Sequence, residues 1–150
     1  MSKIPEGYTA VTPYITMDDA AGAVEFYKKS LGADVIMSMP SPDGKIMHAE
    51  IQVGNARIMI GNTNPTFDSK SAKSLGGSPI SFYVYVEDVQ AAFDKAKNAG
   101  MTEKQPLTDM PWGDRMGMLT DMFAIDWTVA EHLRDVSLEE IAEAMKNMDQ

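Results

Sequence analysis

Two side chains in the segment "KIMHAEIQV" (45–53) are suited to acid–base chemistry at neutral pH. His48 and Glu50 stand two residues apart in a stretch that alternates apolar and polar residues, the pattern of a strand. Residues i and i+2 of a strand share a face, so imidazole and carboxylate project side by side. Such a pair can pass a proton, chelate a cation together, or sit hydrogen-bonded on a pocket wall. A further carboxylate opens "IDWTVAEH" (125–132), where Asp126, Thr128 and Ala130 point one way and Trp127 and Val129 the other. "WGDR" (112–115) offers an aromatic plate, Trp112, and a guanidinium, Arg115, suited to gripping an anionic group. Asp114–Arg115 also reads as a structural turn pair. His132, at the end of its strand, reads as a surface or interface residue.

The elements that must position these groups follow from bulk properties first. A chain of 150 residues predicts one domain over 1–150, or two similar halves sharing a core. That length buries a core without staples. There is no cysteine, which excludes disulfides, thiolate catalysis and cysteine-ligated metal. The formal charge of −9 argues against nucleic acid or an anionic membrane as a partner. No window approaches the ~20 apolar residues of a membrane span. "MSKIPEGY" lacks the apolar core of a signal peptide. A cytoplasmic protein is expected.

"YTAVTPYITM" (8–17) reads as a strand, and "DDAAGAVEFYKKSLGA" as a helix with Ala20, Ala23, Val24, Tyr27 and Leu31 on one face. Asp18 or Asp19 caps its start and Gly32 its end. "DVIMSM" (34–39) is a strand, "SPDG" a turn, and 46–53 with "ARIMIG" (56–61) a hairpin. Residues 62–79 read as a connection or a mobile loop. The pattern then returns: strand 80–86, a helix from "EDVQAAFDKAKNAG", a short strand near 103–106, then strands in "GDRMGMLTD" and "IDWTVAEH". This is an internal repeat with a period near 69 residues. A last helix, about 137–148, starts with the capping box Ser137–Glu140 and belongs to neither repeat.

One face of each strand is apolar. The other carries Thr12, Tyr14 and Thr16; His48, Glu50 and Gln52; Ser81, Tyr83 and Tyr85; and Asp126 and Thr128. A merely solvated face would favour Lys and Glu. Aromatic rings with a few directed polar groups are what a small-molecule pocket uses.

Two strand–helix–strand–strand–strand units, each with an Asp-started helix ending in Gly, resemble the vicinal oxygen chelate superfamily of glyoxalases, bleomycin-resistance proteins and extradiol dioxygenases. "TPYITMDDAAGAVEFYKKSLGA", "MPSPDGKIMHAEIQVG", "SLGGSPISFYVYVEDV", "GDRMGMLTDMF" with its following Trp, and the tail "RDVSLEE" resemble the PhnB-like branch across nearly the whole chain. The resemblance implies an α+β fold: two βαβββ modules (about 8–61 and 80–132) forming a cup-shaped mixed sheet with helices outside, plus the C-terminal helix. It implies a site inside the cup and a homodimer. It places the superfamily's four metal-ligand positions near Thr12, Met59, Ser81 and Thr128, none a His or carboxylate. Thr and Ser hydroxyls and a thioether suit a divalent N/O site poorly. The branch's usual final turn, Asp-Pro-Phe-Gly-His-x-Trp, departs here at Met122, Ala124 and Ile125. The imidazole is lost, and losing the Gly bears on the turn's backbone angles. The expectation is a protein that binds an unknown small organic molecule with no metal or other cofactor. The alternative is a metal-dependent lyase, isomerase or dioxygenase using His48 and Glu50 as catalytic residues.

Overall fold

The computed structural model describes residues 1–148. Module 1 runs β1 (Tyr14–Met17), α1 (Ala20–Leu31), β2 (Asp34–Pro40), β3 (Ile46–Val53) and β4 (Ala56–Asn62). A 3₁₀ turn (Pro65–Phe67) and a single-turn helix, α2 (Ala72–Leu75), follow. Module 2 runs β5 (Phe82–Tyr85), α3 (Val89–Asn98), β6 (Thr102–Asp109), β7 (Asp114–Thr120) and β8 (Asp126–His132). Helix α4 (Leu138–Lys146) ends the described chain. The fold is α+β, with two βαβββ units and a C-terminal helix.

Each module makes one four-stranded sheet, in the orders β1-β4-β3-β2 and β5-β8-β7-β6. The first strand of each pairs parallel with the last, and the other ladders are antiparallel. The duplication is preserved residue by residue. Tyr14 faces Met59 in module 1, and Tyr83 faces Thr128 in module 2, counterparts 69 positions apart. The caps are preserved too: the carboxylates of Asp19 and Asp88 accept from the Gly22 and Ala91 amides, satisfying helix donors that lack partners.

The helices lie on the backs of their sheets, and α1 packs on α3. One continuous core results, running from Ile15, Tyr27 and Ile51 in module 1 to Phe93, Leu119 and Trp127 in module 2. The junction is aromatic: Phe26 and Tyr27 of α1 meet Phe123 with centroids 5.7 and 5.9 Å apart, and Tyr27 meets Trp127 at 5.3 Å. A buried carboxylate, Asp121, ties it. Its Oδ2 accepts from the Tyr27 hydroxyl at 2.6 Å and the Trp127 indole at 2.9 Å. Its Oδ1 accepts from the amides of Phe123 and Ile125 at 2.8 and 3.0 Å. Burial and this charge both push the Tyr27 phenol pKa well up, so it stays a donor. The turn that Asp121 organises holds Ala124 at φ 64°, so the left-handed geometry survives where the branch has Gly.

Several expected boundaries shift. The strand expected over 8–17 is reduced to 14–17, and Val11 is 82 % exposed. Residues 8–12 have no ladder partner, and Pro13 brings no N–H to one, though its carbonyl accepts from Met59 N at 2.9 Å. The expected strand 80–86 shortens to 82–85. The expected 62–79 connection contains α2, whose N-cap Ser71 accepts from Ser74 N. The short strand near 103–106 becomes eight residues, despite Pro106, because β6 is an edge strand with irregular register there. The capping box of α4 forms as expected, but no α4 residue is buried. Among the described residues no helix is long and apolar enough to cross a membrane.

Trp127→Ala is expected to cost about 3–5 kcal/mol, for it removes a large ring from the core and a donor from Asp121. Asp126→Ala, on the other face, should cost far less. Urea denaturation of both variants tests this, and the reverse order would overturn the register of β8. Ala124→Gly should stabilise by about 1 kcal/mol, because only glycine takes a left-handed angle without a Cβ penalty. A lowered melting temperature for that variant would contradict the turn geometry.

Candidate functional site

The polar face of module 1 is laid out in rows by the strand register. One row crosses the sheet as Tyr14, Met59, Glu50 and Met37, and the next as Thr16, Gly61, His48 and Met39. His48 Nε2 lies 3.2 Å from Glu50 Oε1, so the expected pair forms, and both side chains are largely covered. The Tyr14 ring stands 5.7 Å from the imidazole. Its hydroxyl lies where a Cβ at Gly61 would be, so position 61 must lack one for Tyr14 to lie across β4. The N-terminal arm roofs part of this face, leaving a hollow of about 530 Å³ against Thr12, Glu50 and Met59. Tyr8 of the arm lies under the Arg57 guanidinium, 4.5 Å from its ring centroid.

Module 2 repeats the layout with different chemistry. Its rows read Tyr83, Thr128, Met118, Gln105 and Tyr85, Ala130, Met116, Thr108. At the end of this face sits a buried carboxylate, Asp114, with three partners. Tyr85 donates its hydroxyl to Oδ2 at 2.8 Å, Tyr83 does so at 3.3 Å, and His132 Nδ1 lies 2.8 Å from Oδ1. Burial opposes the charge of Asp114, but the bonds from His132 and the two tyrosines outweigh it and hold its pKa below the usual carboxylate range. His132 also reaches exposed Asp135 through Nε2 at 2.8 Å, and hydrogen bonds to Asp114 and Asp135 raise its pKa. Trp112 stands beside Tyr83.

The residues singled out from sequence fall into two groups on two sheets. Tyr14, His48, Glu50 and Met59 share the module 1 face, with Thr12 just before β1, its hydroxyl turned to the Thr9 carbonyl. Tyr83, Tyr85, Thr128 and Asp126 share the module 2 face, with Ser81 exposed just before β5. Asp126 bonds Lys104 at 2.5 Å and Thr120 at 2.6 Å, and these partners lower its pKa. Arg115 is not with them. It follows Asp114 on β7 and so points to the opposite face, where its guanidinium makes a two-point bond to Asp109 at 2.6 and 3.1 Å. Nor do Asp114 and Arg115 pair with each other. His132, read as a surface or interface residue, is exposed, and its ring also reaches Asp114. Alternation along β7 puts Asp114 on the face of Met116 and Met118, but its partners come from other strands.

No ladder joins the two sheets, and the junction between modules runs through their backs. The two polar faces of one chain therefore lie apart, on separate sheets. A cleft of about 810 Å³ opens along the free edge of β5, walled by Pro13 and Ile58 of module 1 and by Phe82, Tyr85 and His132 of module 2.

A divalent ion at the four positions that the resemblance marks would need three or four N or O donors converging. Thr12 is engaged with backbone, Met59 supplies a thioether, Ser81 precedes its strand, and Thr128 is buried between its neighbours. Among the described residues no three His, Cys, Asp or Glu side chains converge so as to hold a metal ion. The donors present in one chain do not fit such an ion.

Comparison with known proteins places this arrangement. An uncharacterized protein of Mycobacterium bovis is 37 % identical over 141 residues, spanning 92 % of this chain and 93 % of its own. TioX from a Micromonospora species is 27 % identical with a TM-score of 0.67, covering 83 % of this chain and 99 % of that one. A PhnB protein from Bacillus cereus shares the fold at 19 % identity and a TM-score of 0.62, covering 82 % of this chain and 99 % of that one. The Glyoxalase/Bleomycin resistance protein/Dioxygenase superfamily matches residues 8–129, and the chain belongs to that superfamily.

Proposed function

We propose that this protein binds a small organic molecule, without a metal ion, in a cup that two copies of the chain complete together. The observation that carries the reading is the content of the two polar faces. They present Tyr, Thr, His, Glu and Met side chains in register, a mixture suited to an apolar body with a few polar groups. Methionines such as Met37, Met39, Met116 and Met118 add soft surface that adapts to a ligand's shape.

The way the modules are joined supports the second copy. With their backs cemented through Tyr27, Asp121 and Trp127, the two faces of one chain cannot close on one molecule. Module 1 of one protomer facing module 2 of another makes a two-walled cup, twice per dimer. The exposed apolar stripe of α4, with Leu138 and Met145 outward, supports an assembly larger than one chain.

A second reading is favoured by one observation, the 3.2 Å His48–Glu50 contact on a part-buried face. It is an enzyme, a lyase, isomerase or dioxygenase, in which that pair moves a proton or begins a metal site. The donor set described above weighs against the metal form.

Light scattering at micromolar concentration should give the mass of two chains, and the mass of one chain would sink the shared cup. Protein dialysed against Zn²⁺, Ni²⁺, Mn²⁺ or Fe²⁺ should keep well under one ion per chain and show no metal-dependent melting shift. A tight ligand at ~100 times its dissociation constant would add ~2.7 kcal/mol, which melting detects. A stoichiometric ion lost in His48→Ala or Glu50→Ala would replace the binding reading with the enzyme.

A further inference from the structure

We propose that the module 2 face selects a flat organic cation, seated on the rings of Tyr83 and Tyr85; this rests on the small-molecule-binding reading above. The two phenols are arranged unusually for pocket tyrosines. Both hydroxyls turn to the same carboxylate oxygen, Oδ2 of Asp114, and the Tyr83 hydroxyl also lies 3.2 Å from Met116 Sδ. Their polar ends are therefore occupied, and what they leave for a ligand is ring surface. The rings are 5.2 Å apart and inclined at 44°, and they are 45 % and 60 % exposed.

Three features favour positive charge over neutral or negative. First, a ring face carries the negative end of its quadrupole and attracts cations. A phenol that donates to a carboxylate is polarised further, since the acceptor draws on its proton and leaves more electron density in the ring. Second, the phenols stay protonated: the Asp114 bond and burial push the Tyr85 pKa up to about 12, and burial raises that of Tyr83. They are platforms rather than proton donors. Third, the local charge is negative. Asp114 and Asp135 flank His132 and outnumber it even when it is protonated. On β6 and β7, Lys104 and Arg115 are held by Asp126 and Asp109, the latter on the opposite face. An anionic ligand would meet the Asp114 carboxylate beside the two rings, with Asp135 close by. The chain's formal charge of −9 adds a long-range bias in the same direction.

The test compares three probes of similar shape and different charge: N-methylquinolinium, 1-naphthalenemethanol and 1-naphthoate. Binding to the full-length protein is followed by calorimetry at 50 mM salt. The cation should bind at least about tenfold more tightly than either other probe, as a contact of this kind allows. Tyr83→Leu/Tyr85→Leu should remove that preference. Tyr85→Phe keeps the ring but cuts its tie to Asp114, so it should weaken the cation by several-fold and leave the neutral probe nearly unchanged. A single cooperative melting transition, with the neutral probe still bound, would show that the fold is retained. Equal binding of the neutral and cationic probes, or a cation preference that survives the double Leu variant, overturns the inference while leaving the binding reading intact. Failure of all three probes at millimolar concentration overturns both.

Discussion

One carboxylate holds the two halves of this chain in their relation. Asp121 accepts four hydrogen bonds from inside the core: two from the turn it begins, one from the indole of β8, and one from a phenol on α1. The first three are internal to module 2 and shape its last hairpin. The fourth crosses to module 1. Because the group is buried, each donor depends on it as much as it depends on them, and a buried charge deprived of partners costs several kcal/mol. The direction in which the modules join, back to back through α1 and α3, is thereby fixed by a polar contact set in an aromatic cluster. Apolar packing alone specifies an interface loosely, whereas a hydrogen-bonded carboxylate admits one register.

That choice of which surfaces are joined decides what remains open. Helix-side residues of both sheets are consumed in a shared core, and the strand faces that carry Tyr14, His48 and Glu50, or Tyr83, Tyr85 and Asp114, look away from the junction. Duplication made the two faces alike in geometry, and divergence made them unlike in chemistry. At one pair of matched positions module 1 has Met59 and module 2 has Thr128; at another, Thr16 stands where module 2 has Tyr85. The first face offers a histidine–glutamate contact under a polypeptide arm, and the second an aromatic pair anchored to a buried acid.

Much of the fold was legible in sequence because its signals are local. Alternation in 46–53 and 126–132, the Asp and Gly that bracket each helix, and the 69-residue spacing all act within a few residues or repeat on sight. The facing of Trp127 against Thr128 followed from period two alone. The candidate residues were partly legible for the same reason: His48 and Glu50 meet because strands place i and i+2 together. Long-range pairing was not legible. Nothing local says that Arg115 turns to Asp109 across a hairpin, or that Asp114 gathers two tyrosines and a histidine from other strands. Asp121 was hidden by its setting, since "TDMF" reads as a turn and a turn aspartate is ordinarily a surface residue. The first strand was overextended because β-branched residues at 8–12 mark a preference, and a strand also needs a neighbour.

The sheets have four borders, and they are not equally open. Pro40 lies in β2 and Pro106 in β6, the outermost strands, and both run with irregular register against their neighbours. Proline brings no N–H, and a bulge twists the border away, so neither readily templates another chain. The inner borders, β1 and β5, have no proline and are only four residues long. Strand addition from another molecule is thus steered to the two short borders beside the polar faces. A chain with all four borders open could stack end on end without limit. With the outer pair blocked by two rings that cannot donate, an added strand meets only a border of four residues, which offers little ladder to extend.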